Sequence, residues 1–156
     1  MEKVDFKIEK AVIDDAEEIL KLQKLAYLSE AEIYNDYGIP PLRQTIEEIT
    51  GEFAVNVFLK AVSDGKIIGS VRGFEKDGTC FIGRLFVHPD YRNKGIGACL
   101  MKSIEEAFGH CSRFELFTGH KSEKNLYLYR KIGYTDFKRE NVSENLQFVY
   151  LEKARG

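Results

Sequence analysis

Two Asp-Gly pairs constrain the fold of this chain more than any other feature. Asp64-Gly65 and Asp77-Gly78 separate three apolar, β-rich runs at residues 53–62, 66–74 and 79–87. An Asp-Gly pair reaches the left-handed backbone conformations that a tight hairpin turn requires. The three runs therefore predict an antiparallel meander in the middle of the chain. On either side the pattern changes. Val4, Phe6 and Ile8 alternate as a short strand, and Asp14 stands where it can cap a helix carrying Ala16, Ile19, Leu20, Gln23, Ala26 and Tyr27 on one face. Residues 29–43 have no clean period, and Pro40-Pro41 bars a continuous helix. Thr45 and Glu48 form a capping box for a short helix. After the meander, Ile96, Leu100, Ile104, Ala107 and Phe108 mark a helix that ends at Gly109. Residues 114–118 read as a strand, 122–132 as a helix stopped by Gly133, and 134–138 and 146–152 as two last strands. The sum is one mixed α/β domain over residues 1–156, with about seven strands in a mostly antiparallel sheet and about four helices.

Composition narrows the functional classes. Hydrophobic residues at 44% and charged residues at 31% exclude wholesale disorder. No apolar run approaches the roughly 20 residues of a membrane span, and the start lacks the order of a signal peptide. Cys80, Cys99 and Cys111 form no Cys-x-x-Cys pair, so a reducing cytoplasm is the expected setting. A net charge of −2 argues against a nucleic-acid binder. That figure hides a split. Residues 1–78 hold 10 Lys+Arg and 16 Asp+Glu, whereas residues 79–156 hold 13 and 9. Residues 11–52 alone carry 3 against 10; the split suits two ligands of opposite charge or, on charge alone the simpler reading, two solvated faces.

The most informative stretch for chemistry is residues 81–108. A strand ends at Val87, and a loop with Arg92, Lys94, Gly95 and Gly97 feeds an amphipathic helix. Glycines let backbone approach a ligand, and a helix start offers free N–H groups with a positive dipole end. The loop reads as a phosphate cradle, with an ordinary helix start as the equal alternative. It is not the Gly-x-x-x-x-Gly-Lys-Ser/Thr loop of nucleotide triphosphatases. It also fails the dinucleotide fingerprint: Leu100 replaces the third glycine, and the preceding strand belongs to a meander rather than a parallel unit.

Arg92-Asn93-Lys94-Gly95-Ile96-Gly97-Ala98 resembles the Arg/Gln-x-x-Gly-x-Gly/Ala pyrophosphate loop of the GCN5-related N-acetyltransferases, the GNAT family. Leu85-Phe86-Val87-His88-Pro89-Asp90-Tyr91 is similar to the strand and turn before that loop. Residues 122–134, SEKNLYLYRKIGY, resemble the family's second block, Asn-x-x-Ala-x-x-Leu-Tyr-x-Lys-x-Gly-Phe. The order of elements agrees as well.

The resemblance implies a GNAT-type fold and acetyl-CoA as cosubstrate, with no metal. Backbone groups of Leu85, Phe86 and Val87 would pair with its pantetheine arm. The amides of Asn93, Lys94, Gly95, Ile96, Gly97 and Ala98, helped by Arg92, would bind its pyrophosphate. Tyr129 would protonate the leaving thiolate. Ser122 falls where the family often has a cofactor-contacting Asn, and Asn125 nearby, at a usually small position, is the other candidate for that contact. Residues 81–87 carry no acid for a general base; Arg84 stands there instead, exposed or paired, with Glu115 on the next strand and His120 after it as further candidates. Glu30, Glu32, Tyr34, Asp36, Tyr37 and Ile39 fall where the acceptor site is expected. The implied activity is N-acetyl transfer by direct attack of a primary amine; the alternative is a non-catalytic module that binds acyl-CoA for sensing. The expected partner is a small-molecule or peptide amine, cationic if the acidic segment faces it, with a homodimer as one open arrangement and neither nucleic acid nor membrane.

Overall fold

The computed structural model describes residues 4–155. The meander forms as the turn residues predict. Strands β2 (Val57–Ser63), β3 (Lys66–Lys76) and β4 (Thr79–Val87) run antiparallel, with Asp64, Gly65, Asp77 and Gly78 at positive φ in the two turns. With β1 (Lys7–Lys10), β5 (Arg113–Gly119), β6 (Thr135–Asn141) and β7 (Gln147–Ala154) they make one seven-stranded sheet, ordered β1-β2-β3-β4-β5-β7-β6. Neighbours are antiparallel except β4 and β5. This is the mixed α/β, mostly antiparallel sheet expected from sequence.

A parallel pair needs a crossover, which α5 (Ile96–Ala107) supplies. Its Ile96, Leu100, Met101 and Ile104 are buried on one sheet face with Leu59, Val71, Ile82, Phe114 and Leu116. Strand alternation turns Phe58, Ile67 and Phe86 to the opposite face, where Ile19, Leu20 and Leu22 of α1 (Ala16–Ala26) cover them. Each such buried side chain contributes about 1.5–3 kcal/mol.

Several boundaries differ from expectation, beginning with β1, which starts at Lys7 rather than Val4. Six α-helices form rather than about four, because α2 (Leu28–Tyr34) and α3 (Pro40–Arg43) occupy the stretch without a period. α2 continues from α1 across Tyr27 and stops at Asn35, where φ is 49°. Pro40 and Pro41 open α3, a position where the missing N–H is harmless. Phe53 ends α4 (Ile46–Glu52) instead of opening β2, and its ring stacks on Phe58 at 3.9 Å. Asp15 rather than Asp14 stands at the N-cap of α1; its carboxylate accepts the Val12 N–H and pairs with Lys60.

The feature that positions the site lies at the centre of the sheet. β4 and β5 pair only between Thr79–Phe81 and Arg113–Glu115, and beyond that they part. The edge of β4 from Ile82 to Val87 therefore faces a gap. Within that stretch the register against β3 slips between Ser70 and Arg72, and Arg84 takes a φ of 49°. This bulge re-aims a side chain.

Candidate active site

A cleft of about 610 Å³ occupies the gap and the space beside it. Tyr27, Glu30 and Tyr34 line it from the α1–α2 turn and α2, Arg72 and Arg84 from β3 and β4, and Ser122, Asn125 and Tyr129 from α6 (Glu123–Lys131) and its N-cap.

Glu30 is the hub of a hydrogen-bond network. Ser122 Oγ donates to its Oε2 at 3.0 Å, and Asn125 Nδ2 donates to its Oε1 at 3.0 Å and to Thr118 Oγ1 at 3.2 Å. Ser122 has one hydroxyl hydrogen, so Tyr34 Oη, 2.8 Å away, is the donor in their bond. Tyr34 Oη also accepts the Lys121 N–H at 3.0 Å. Gly119 makes room for this, since a Cβ there would collide with the Tyr34 hydroxyl. Burial pushes the Glu30 carboxyl above its ordinary value, against the opposing pull of the Ser122 and Asn125 hydrogen bonds and the Arg92 charge. Burial likewise pushes the Tyr129 phenol strongly upward, and Tyr27 and Glu30 add to the effect. Tyr129 is thus held in its protonated form. It is buried and lines the cleft.

The other end of the site is the loop before α5. Asn93 and Gly95 both take left-handed backbone conformations, at φ 62° and 83°. The first helical bond runs from Cys99 N–H to Gly95 O at 3.1 Å. The amides of Ile96, Gly97 and Ala98 are therefore free of intrahelical partners. Asn93, Lys94 and Gly95 are exposed. Together with the unpaired β4 edge, these free amides fit a polyanionic cofactor with an amide-bearing arm. Leu85 lines the cleft, whereas the side chains of Phe86 and Val87 pack into the two cores and leave only backbone to the gap.

Several expected residues are placed differently. Arg92 Nη2 donates to Ala26 O at 2.8 Å, so its guanidinium caps the carbonyl end of α1 instead of standing over the loop. Ser122 and Asn125 are tied to Glu30 rather than open toward the loop. Glu32, Asp36 and Tyr37 are exposed and lie outside the cleft, while Tyr34 and Ile39 line it. Glu115 lines the cleft but pairs with Arg113 at 2.8 Å. His120 Nδ1 accepts the Gln147 N–H at 2.9 Å, and its ring lies 6.1 Å from that of Tyr34 without lining the cleft. Tyr27 and Arg72 belong to the site without having been singled out. Arg72, 3% exposed, bonds Gln23 and Glu52 and lies 4.7 Å over the Phe58 ring. A charge inside an otherwise apolar strand was the available signal. Away from the cleft, Glu75, His110 and Cys111 bring potential ligand atoms within 4.8 Å of one another.

Residues 14–134 match the acetyltransferase (GNAT) family, and the chain belongs to it. Acyl transfer from acetyl-CoA is the chemistry of that family. The chain is 29% identical over 131 residues to the UPF0157 protein YqkA of Bacillus subtilis (strain 168), a match covering 84% of this chain and 38% of YqkA's length. Its fold is similar to the PaiA N-acetyltransferase of Thermoplasma acidophilum in complex with coenzyme A, with a TM-score of 0.71, 21% identity and coverage of 97% and 99% of the two chains. It is also similar to the ribosomal-protein-S18-alanine N-acetyltransferase of Escherichia coli, with a TM-score of 0.77, 12% identity and coverage of 96% and 94%. Among the described residues no helix is long and apolar enough to cross a membrane.

Proposed function

We propose that this chain is an N-acetyltransferase that moves an acetyl group from acetyl-CoA to a primary amine by direct attack, without a covalent enzyme intermediate. The observation that carries this reading is one continuous cleft running from the unpaired edge of β4 to Tyr129 and Glu30. Acetyl-CoA supplies an activated carbonyl and a thiolate leaving group. The free amides of Ile96, Gly97 and Ala98, at the positive end of α5, suit its pyrophosphate. The backbone of residues 85–87 suits its pantetheine amides, and an N–H on the same edge suits the developing oxyanion. Tyr129, held protonated by burial, gives its proton to the departing sulfur. Glu30, raised by burial, takes the proton that the attacking amine loses. The C–N bond forms, the C–S bond breaks, and the proton taken by Glu30 passes through water to the Tyr129 phenolate, which resets both groups.

The test is thiol release from acetyl-CoA in the presence of polyamines, amino acids, aminoglycosides and peptides with free N-termini, with mass detection of acetylated product. Release above background hydrolysis with at least one class is expected. Tight acetyl-CoA binding combined with silence across the whole panel would replace the enzyme by a binding module.

A further inference from the structure

We infer that the amine acceptor also carries a carboxylate, and that Arg84 on the bulge of β4 binds it. The inference rests on the acetyl-transfer reading and names the acceptor class for the same cleft: an amino acid or a similar aminocarboxylate.

Charge pairing within the cleft is the first argument. Glu30 is held by Ser122 and Asn125, Glu52 by Gln44 and Arg72, Arg72 by Gln23 and Glu52, and Glu115 by Arg113. Arg84 is the exception. It is half-buried, it lines the cleft, and it has no hydrogen-bond or ion-pair partner among the described residues. A guanidinium that lines a cleft without a partner has its donors free for an incoming anion.

Its backbone makes the second argument. A φ of 49° is a conformation that arginine rarely adopts, and it occurs where the strand register slips. Strain of this kind at a bulge beside a site marks a side chain aimed for use.

The surroundings fix the sign and the orientation of the ligand. Arg72 stands close enough for Arg84 to lower its pKa, which burial first of all brings down to about 10. Two guanidinium groups thus share this end of the cleft. Tyr27 lines the same cleft, close enough for its phenol to feel both arginines and Glu30. An anionic group is drawn toward Arg84 and repelled by Glu30, and an ammonium group behaves in reverse. A ligand with both therefore lies with its carboxylate on Arg84 and its amine toward Glu30 and Tyr129. The planar fork of arginine matches a carboxylate in bidentate fashion. Of the ten acids in residues 11–52, only Glu30 and Glu52 line the cleft, so the acidic segment does not make this end of the site negative.

The experiment compares α-amino acids with their α-amides, which differ only in the carboxylate. With acetyl-CoA saturating, the wild-type chain is expected to favour the amino acids by at least about tenfold in kcat/KM. Arg84→Gln should lower kcat/KM for the amino acids by about tenfold to a hundredfold, chiefly through KM, so that the preference collapses; Arg84→Lys should recover part of it. Amides or polyamines used as well as amino acids by the wild type, or an equal loss on both series in Arg84→Gln, would overturn the assignment. Calorimetry on the CoA-saturated chain reads the same preference without turnover. A preference for amino acids there that Arg84→Gln abolishes supports the carboxylate site even if no amine is acetylated, in which case only the acetyl-transfer reading fails. Absence of that preference in the binding data overturns the Arg84 assignment whether or not turnover is seen.

Discussion

At Tyr129 the burial that would strip a phenolate of its hydration keeps the hydroxyl protonated across the working pH range. In the proposed reaction this protonated hydroxyl is the donor to the leaving thiolate. Its ring also packs in the core, 6.2 Å from that of Tyr134, so removing the oxygen alone separates chemistry from packing. Tyr129→Phe is expected to lower kcat by about a hundredfold, the low end of what a positioned acid contributes. The dissociation constant for acetyl-CoA, read by calorimetry, should change by less than about threefold, because phosphate and arm are held elsewhere. A variant with full kcat would remove Tyr129 from the chemistry and leave it a packing residue.

Among the elements, the loop before α5 and the strand before it are built from local signals, and those were legible. The bounds of β4 follow from Asp77-Gly78 and its apolar run, and the start of α5 follows from Gly95. The opposite wall of the cleft was not legible. α2 is seven residues long with no side-chain cap, too short to stand alone. It is held through Glu30 and Tyr34 by Lys121, Ser122 and Asn125, partners 87 to 95 positions away that no window of sequence connects. The bulge at Arg84 adjoins Gly83, a strand glycine that was the available signal, and a residue expected at the surface or in a pair proves to be an unpaired charge in the cleft. Of the residues in the second block of the family resemblance, Tyr129 lines the cleft, and Ser122 and Asn125 hydrogen-bond Glu30 of α2. The glycine at the head of α5 gives the prediction at this scale. Gly95 is left-handed at φ 83°, and a Cβ there meets nothing within 4 Å, so backbone strain alone is at stake. Gly95→Ala should cost about 1–2 kcal/mol, a fall of several degrees in melting temperature, and should weaken acetyl-CoA binding as the loop relaxes. Unchanged melting and affinity together would show that the loop does not depend on that conformation.

Across the whole molecule the sheet is split, and the Glu30 network is a tie between the two sides of the split. It joins α2, which follows the helix covering β2–β4, to the β5–α6 turn beyond the gap. This makes one carboxyl both a structural link and the proposed proton acceptor, and the two roles share a pH signature. Because burial raises the Glu30 pKa, the folded chain holds a proton at pH values where the unfolded chain has released it. The contribution of this group to stability is complete below the ordinary carboxyl value of 4.5 and declines as pH rises through the raised one. Asp136 has the opposite slope: the Arg130 hydrogen bond holds its carboxyl below the ordinary value, so its contribution is lost as pH falls. Glu30→Gln keeps an oxygen for Asn125 and an N–H for Ser122 Oγ but cannot titrate. Relative to the wild type, it should therefore gain stability as pH rises from 4.5 through the raised value, measured by denaturant unfolding at stepped pH. The same ionisation should set the acid limb of kcat/KM in the wild type, with activity lost as pH falls through the raised value, and the variant should be slower with that limb flattened. Agreement of the two midpoints would tie the proton acceptor to the link across the cleft. A limb that persists unchanged in Glu30→Gln would move the acceptor role elsewhere, with Glu115 next in line on the far wall of the cleft.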